Sequence, residues 1–380
     1  MDPAVRLLRE LVAINSVNPT LVPGAPGEAE IAGAIAATMR SFHLDLHIQE
    51  VAPGRPNTIG VLEGRRRGRT LMFCGHVDTV GVDGMTEPFA PYEKSGRLYG
   101  RGAQDMKSGV AAMIDAARVL AETGGLASGR VIVAAVVDEE HSSIGADALV
   151  ADWSADAAVV TEPTGLEIAV GHKGFAWIGI EVHGKAAHGS RPVDGQDAIL
   201  RMGRVLGQLE ALDREIQSRP SHARLGTGSL HASLIDGGRE LSSYPDRARL
   251  QMERRTLPHE AASIALGEVE SILERLRRED PTFRGDAREM FSRPAYELAA
   301  DHELPQTLAR VLRSLTAAPP AGPIGMSFWT DAAILGGAGI PSVLFGPGGA
   351  GLHSSEEFVH VPDVLLCRDA LVELARQFCK

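Results

Sequence analysis

The sequence predicts an α/β domain with a mostly parallel sheet flanked by helices, interrupted by an inserted α+β ferredoxin-like domain. Three observations lead there. Short apolar runs alternate with helix-periodic stretches in the first part of the chain, as in a sheet covered on both faces. From about Phe175 the texture changes to period-two strands with one open face. After about residue 297 the α/β texture returns. At 380 residues the chain is long for one compact core, so residues 1–173 and 297–380 are expected to form one discontinuous domain around an insert of 174–296.

The elements follow in order. Apolar periodicity predicts helices over 3–15 and 27–43, then strands in "NTIGVLEG" and "TLMFCGHVD". A long helix over 107–124 precedes the strand "RVIVAAVVD", a helix near 143–152 and the strand "AAVVTEP". In the insert, "FAWIGIEVHG" alternates as a strand, followed by a helix at 194–216 and strands in "TGSLHASLIDGG" and "RARLQMERRTL". A helix at 259–278 and the strand "AREMFSRPAYEL" complete a βαββαβ order, that of a split ferredoxin-like unit. A helix at 303–315, the apolar "GIPSVLFGPG" and a helix at 363–378 close the chain.

Net charge is −11, an acidic balance that argues against nucleic-acid binding or a polybasic membrane contact. The three cysteines, Cys74, Cys367 and Cys379, are too few and too irregular for a disulfide framework or a thiolate metal site, which fits a reducing compartment. The opening "MDPAVRLLRELVAINS" carries charges through its apolar positions and reads as an amphipathic helix rather than a signal peptide. No run approaches the roughly 18 apolar residues of a membrane span. A cytoplasmic protein is expected.

Chemistry-bearing residues collect at strand ends. "FCGHVDTV" ends an apolar strand with His76 and Asp78, which share a face at this spacing. A carboxylate is a common partner for the second nitrogen of a metal-bound histidine, although an isolated H-x-D also fits a satisfied histidine. Asp105 lies in a Gly-rich turn before a helix, where a plain N-cap is the other reading. Asp138, Glu139 and Glu140 follow a buried-type strand; crowded carboxylates raise one another's pKa and call for a cation nearby. Glu162 ends another strand before Pro163, and His353 lies in the Gly-rich loop "FGPGGAGLHSSEEFVH". Ligands bind at the carboxyl ends of strands in such sheets. Two histidines and several carboxylates suit Zn2+ or a similar ion, and the supply fits two metals sharing a bridging carboxylate.

The motifs "GHVDTV", "GRGAQDMKSG", "VVDEEHSSIG", "VVTEPT", "GHKG", "GKAAHGSRP", "SFWTDAAIL" and "GIPSVLFGPGGAGLHSSEEFV" occur in this order along nearly the whole chain. The set resembles the di-zinc metallopeptidase and deacylase family of aminoacylase, acetylornithine deacetylase, succinyl-diaminopimelate desuccinylase and carboxypeptidase G. The resemblance implies that His76 binds one zinc ion, that Asp105 bridges two, that Glu162 completes the first site, and that Glu140 and His353 complete the second. Cobalt is an alternative metal. It also implies that Asp78 orients His76, that Glu139 is the general base and acid, and that the Asp105–Met106 peptide is cis.

In the insert, the resemblance makes His188 the donor to the developing oxyanion and Arg255 the ligand of the substrate carboxylate. The insert is then a lid and dimerisation domain of a homodimer. Arg254 would face the opposite side of its strand from Arg255. Ser242 stands where many relatives have Asn, and Asp138 has no role that the motifs assign. The activity implied is hydrolysis of the amide bond of N-acyl amino acids by a metal-activated water, with a dipeptidase or carboxypeptidase as the alternative within the family.

Overall fold

The computed structural model describes residues 1–380. The chain divides into two compact units, one of Met1–Gly171, Leu298–Ile324 and Thr330–Lys380, the other of His172–Glu297 and Gly325–Trp329. The sequence pattern grouped 325–329 with the first of these. In the structure the Lys173 N–H donates to the Met326 carbonyl, and the Trp329 ring packs edge-on to His172, drawing the segment into the second unit.

The sheet of the first unit runs Asp45–Ala52, Arg55–Glu63, Arg130–Val136, Thr70–His76, Ala157–Val160, Ser342–Leu344 and Ala169–His172 in spatial order. It is mixed. Thr70–His76 pairs in parallel with both Arg130–Val136 and Ala157–Val160, and Ser342–Leu344 runs parallel to Ala157–Val160. Asp45–Ala52 and Arg55–Glu63 are antiparallel on one side, and Leu344 meets Ala169 in antiparallel register on the other. Every residue of Thr70–His76 is buried, the expected result for a strand covered on both faces.

Helices Pro3–Ala13, Lys107–Glu122, Glu303–Leu315 and Val361–Phe378 pack on one another and supply Leu8, Leu11, Val110, Ile114, Leu308 and Leu371 to the core. Asp2 caps the first helix by accepting the Ala4 N–H. Gly109 allows the Lys107–Glu122 helix to press against the end of a strand, since a Cβ there would lie 2.0 Å from the Thr161 carbonyl oxygen. A small antiparallel sheet of Gly349–Ala350, Phe358–His360, Arg97–Tyr99 and Tyr92–Lys94 joins two loops of this unit.

The second unit is a four-stranded antiparallel sheet in the order Ser229–Gly237, Arg247–Thr256, Gly174–His183 and Arg284–Arg293. Its βαββαβ order is the one expected. Helices Ala198–Ser218 and Ile264–Glu279 cover one face, burying Val205, Leu209, Val269 and Ile272 against Ile178, Ile180, Leu250 and Met252. Residues of Arg247–Thr256 alternate between exposed and buried, so adjacent arginines face opposite ways. No helix of the protein is long and apolar enough to cross a membrane.

Candidate metal centre and active site

Parallel register places four strand ends side by side. His76 lies opposite Val136, Cys74 opposite Val160, and Val160 opposite Leu344. The residues just beyond these ends therefore converge: His76 itself, Glu139 and Glu140 after Val136, and Glu162 after Val160. His353 arrives on the loop between Gly349–Ala350 and Phe358–His360, and Asp105 on the turn after Arg97–Tyr99. Pairing of Phe358 with Tyr99 and of Val359 with Leu98 brings those two loops together.

Two ligand sets form around one residue. Single ligand atoms of His76, Asp105 and Glu162 all lie within 4.8 Å of one another, and so do those of Asp105, Glu140 and His353. His76 Nε2 is 3.2 Å from Asp105 Oδ1, whereas His353 Nε2 is 3.3 Å from Asp105 Oδ2 and 3.1 Å from Glu140 Oε2. Asp105 thus presents one oxygen to each set. It does not cap the helix behind it, where Met106 occupies the N-cap position, and the Asp105–Met106 peptide is cis.

The donor set fits divalent cations. Glu162 Oε1 and Glu140 Oε1, one from each group, are buried without any hydrogen-bond partner. An orphaned buried carboxylate oxygen is costly unless a cation or donor meets it. Burial, and then the Asp105 charge, push the Glu140 carboxyl up to about 7, although the His353 bond works against this. Burial raises Glu162 well above the ordinary range, and the charges of Asp105, Asp331 and Glu140 add to it. Burial favours neutral His76, but its bonds to Asp105 and Asp78 outweigh that and hold its pKa well up. Bonds to Asp105 and Glu140 lift His353 to about 10. These carboxylates share only two imidazoles as cations, and hard oxygen with imidazole nitrogen suits zinc-like ions.

Glu139 stands beside the two sets rather than within them, its Oε2 3.9 Å from His76 Nε2. Burial raises its pKa well above that of a free glutamate, helped by the carboxylates of Glu162, Asp331 and Glu140 and opposed by His76. Such a carboxyl can accept a proton near neutral pH, which a free one does poorly. Asp78 is fully buried. Its Oδ1 accepts the Glu139 N–H at 3.1 Å and its Oδ2 the Glu140 N–H at 3.2 Å. Its Oδ1 also lies 3.5 Å from His76 Nδ1.

Asp138 turns away from this centre. Its φ of 70° is left-handed, and its carboxylate meets Arg55 Nη2 at 2.8 Å, Asn18 Nδ2 at 3.0 Å and the Ser142 hydroxyl at 2.7 Å. Its carbonyl accepts the N–H groups of Ser142 and Ser143. Asn18 bridges to Asp78 with a 2.8 Å bond, and Arg55 also binds buried Glu28. Asn18, Glu28 and Arg55 escaped sequence reasoning because each is an ordinary polar residue until the fold buries it.

In the second unit, His188 is exposed, with Nδ1 2.8 Å from the Ser190 hydroxyl. It bridges to Ser243, and the Gly189 N–H donates to the Ser242 carbonyl, so His188 and Ser242 occupy adjoining loops. Arg254 is wholly buried between Glu260 and Glu268, at 2.6 and 3.0 Å. Arg255 keeps 28% of its side chain exposed, pairs with Glu253 at 2.9 Å and lies over the Phe175 ring.

Paired histidine–carboxylate groups around a shared aspartate, at the strand ends of an α/β unit, are the makings of a metallohydrolase. The chain belongs to peptidase family M20/M25/M40, which matches residues 72–377. It is 31% identical to an acetylornithine deacetylase of Myxococcus xanthus, over 99% of this chain and 98% of that protein. An N-formyl-4-amino-5-aminomethyl-2-methylpyrimidine deformylase of Bacillus subtilis is 27% identical over 100% of this chain and 95% of the relative. A solved dinuclear metal-binding peptidase of the M20 family, also from Bacillus subtilis, has a TM-score of 0.76 at 16% identity, covering 99% of this chain and 97% of that one.

Proposed function

We propose that this hydrolase removes a short acyl group from the nitrogen of N-acyl amino acids, using two divalent ions, zinc by preference. The observation that carries the proposal is Asp105 offering one oxygen to each of two histidine–carboxylate groups, with Glu139 beside them. His76, Asp105 and Glu162 would hold one ion, and Asp105, Glu140 and His353 the other. When bound, such a pair polarises a carbonyl and makes a water acidic enough to lose its proton near neutral pH.

The chain's own residues do the rest. Glu139 takes the proton from the attacking water onto its carboxylate and gives it to the leaving nitrogen. Asp78 holds the Glu139 and Glu140 backbone and faces His76, so base and ligands keep one orientation. Arg255 grips the substrate carboxylate with its planar fork, releasing Glu253 to do so. His188 donates to the oxygen of the carbonyl under attack, supplied from the second unit in a homodimer joined through that unit. The choice of a short acyl group rests on the two curated relatives, whose names denote removal of acetyl and formyl groups.

A panel of N-formyl and N-acetyl amino acids and unblocked dipeptides, offered to metal-free protein with zinc or cobalt restored, tests this reading. Deacylation that depends on added metal is expected. Strong dipeptide cleavage with no deacylation would replace it with a dipeptidase. Glu139→Ala should keep its metal content and lose about 10²–10⁴-fold in kcat; full activity in that variant would rule Glu139 out as the base.

A further inference from the structure

We propose that Glu357 and Arg101 form a positioning clamp that holds the loop of His353 against the loop of Asp105, and so sets the affinity of the second ion position. The proposal rests on the two-metal reading above.

Glu357 is 1% exposed and belongs to neither ligand set. Its Oε2 accepts Arg101 Nη1 at 2.7 Å and the Gly102 N–H at 3.0 Å, and its Oε1 accepts the N–H groups of Gln104 at 2.8 Å and Asp105 at 3.0 Å. One carboxylate thus gathers three backbone donors of the turn that carries Asp105. With both oxygens saturated it has none to lend a metal.

Arg101, 2% exposed, completes the clamp from the other side. Its Nη2 donates to the carbonyl of Ser354, the residue after His353, at 3.0 Å, and its Nε to the Gly81 carbonyl at 3.1 Å. The His353 loop is therefore gripped at Ser354 and at Glu357.

The grip matters because few other bonds reach that loop from outside: the Gly100 N–H donates to the Glu357 carbonyl, and His353 itself meets Asp105 and Glu140. His353 has 53% of its side chain exposed, and residues 352–356 are all exposed. Local bonds from Ser354 to the Gly351 and Glu356 carbonyls shape the tip without anchoring it. The other ligands are placed differently. His76 is 1% exposed at the end of a central strand, and Glu162 is 3% exposed just past another. Glu140 is held through its N–H by Asp78. Loosening the clamp should disturb the Asp105–Glu140–His353 set most, because two of its three members sit on clamped loops, against Asp105 alone in the His76–Asp105–Glu162 set.

The test is stepwise metal uptake by the full chain, followed by calorimetry and by the absorption of added Co2+. Glu357→Gln keeps the shape but removes the charge that the backbone donors and Arg101 share. Arg101→Lys keeps the charge but loses the fork. Both should bind the second ion roughly 10–100-fold more weakly, as expected when a group behind a ligand is lost, and weaken the first clearly less, since Asp105 alone of its three ligands lies on a clamped loop. The circular dichroism spectrum should be unchanged. Should Glu357→Gln fail to fold, Arg101→Lys decides alone. Equal weakening of both ions, or normal uptake of both by the variants, overturns the clamp. A parent protein that takes up no second ion overturns the two-metal reading and the clamp with it.

Discussion

Asp138, Glu139 and Glu140 are adjacent in the chain and end in three environments. The left-handed backbone at Asp138 turns its carboxylate to Arg55, Asn18 and Ser142, while Glu139 and Glu140 go to opposite sides of the ligand cluster. Motif resemblance singled out the last two, because their neighbours in sequence carry the pattern. It said nothing of Asp138, whose countercharge lies on a different strand. That Arg254 and Arg255 face opposite ways was legible from strand period, whereas the choice of Arg255 came from the motif resemblance. The two should behave differently on substitution. Arg254→Met would leave Glu260 and Glu268 with only the more exposed Arg219, a loss read as a lower urea midpoint and expected to cost less than the about 3–5 kcal/mol of a fully unpaired buried charge. Arg255→Ala should leave the midpoint near that of the parent and raise KM at least about tenfold with a smaller change in kcat. An unchanged KM would remove Arg255 from the substrate site.

At the level of elements, the long apolar runs and amphipathic helices were readable because each carries its own period. The strands missed were Asp45–Ala52, the Tyr92–Lys94 and Arg97–Tyr99 hairpin, Ala169–His172, Ile324–Met326, Gly349–Ala350 and Phe358–His360. Asp45–Ala52 lies at a sheet edge with no fully buried residue, so its residues need not alternate, and the others are too short to show a period. Gly109 shows how packing between elements sets a residue. Gly109→Ala drives a Cβ into the Thr161 carbonyl and should destabilise the protein by about 1–3 kcal/mol. Gly33, in the exposed face of Ala29–Ser41, meets nothing within 4 Å. Gly33→Ala should therefore raise stability by about 0.5–1 kcal/mol through helix propensity. Thermal melts of the two variants check both signs; a neutral Gly109→Ala would mean that the helix gives way at no cost.

For the molecule as a whole, the crowded centre ties stability to metal. Glu140 and Glu162 each bury an oxygen that no protein donor meets, and their charges repel those of Asp105 and Glu139. Ions that bind only the folded chain should stabilise it by about 4 kcal/mol at a thousandfold excess over Kd. Dialysis against a chelator should lower Tm, and zinc should restore it. A Tm indifferent to both treatments would mean that the native chain takes up no ion.

The order of the longer helices and core strands, the βαββαβ insert and the residue types offered at the strand ends were readable in one dimension, because apolar period and chain breaks are local properties. The set of partners was not. That Asp105 serves two groups, that Asp138 answers Arg55, that Glu357 and Arg101 tie two loops and that 325–329 joins the second unit all depend on strand register and loop closure. Those bring together residues far apart in the chain, and burial then makes each unpaired charge costly enough to select its partner.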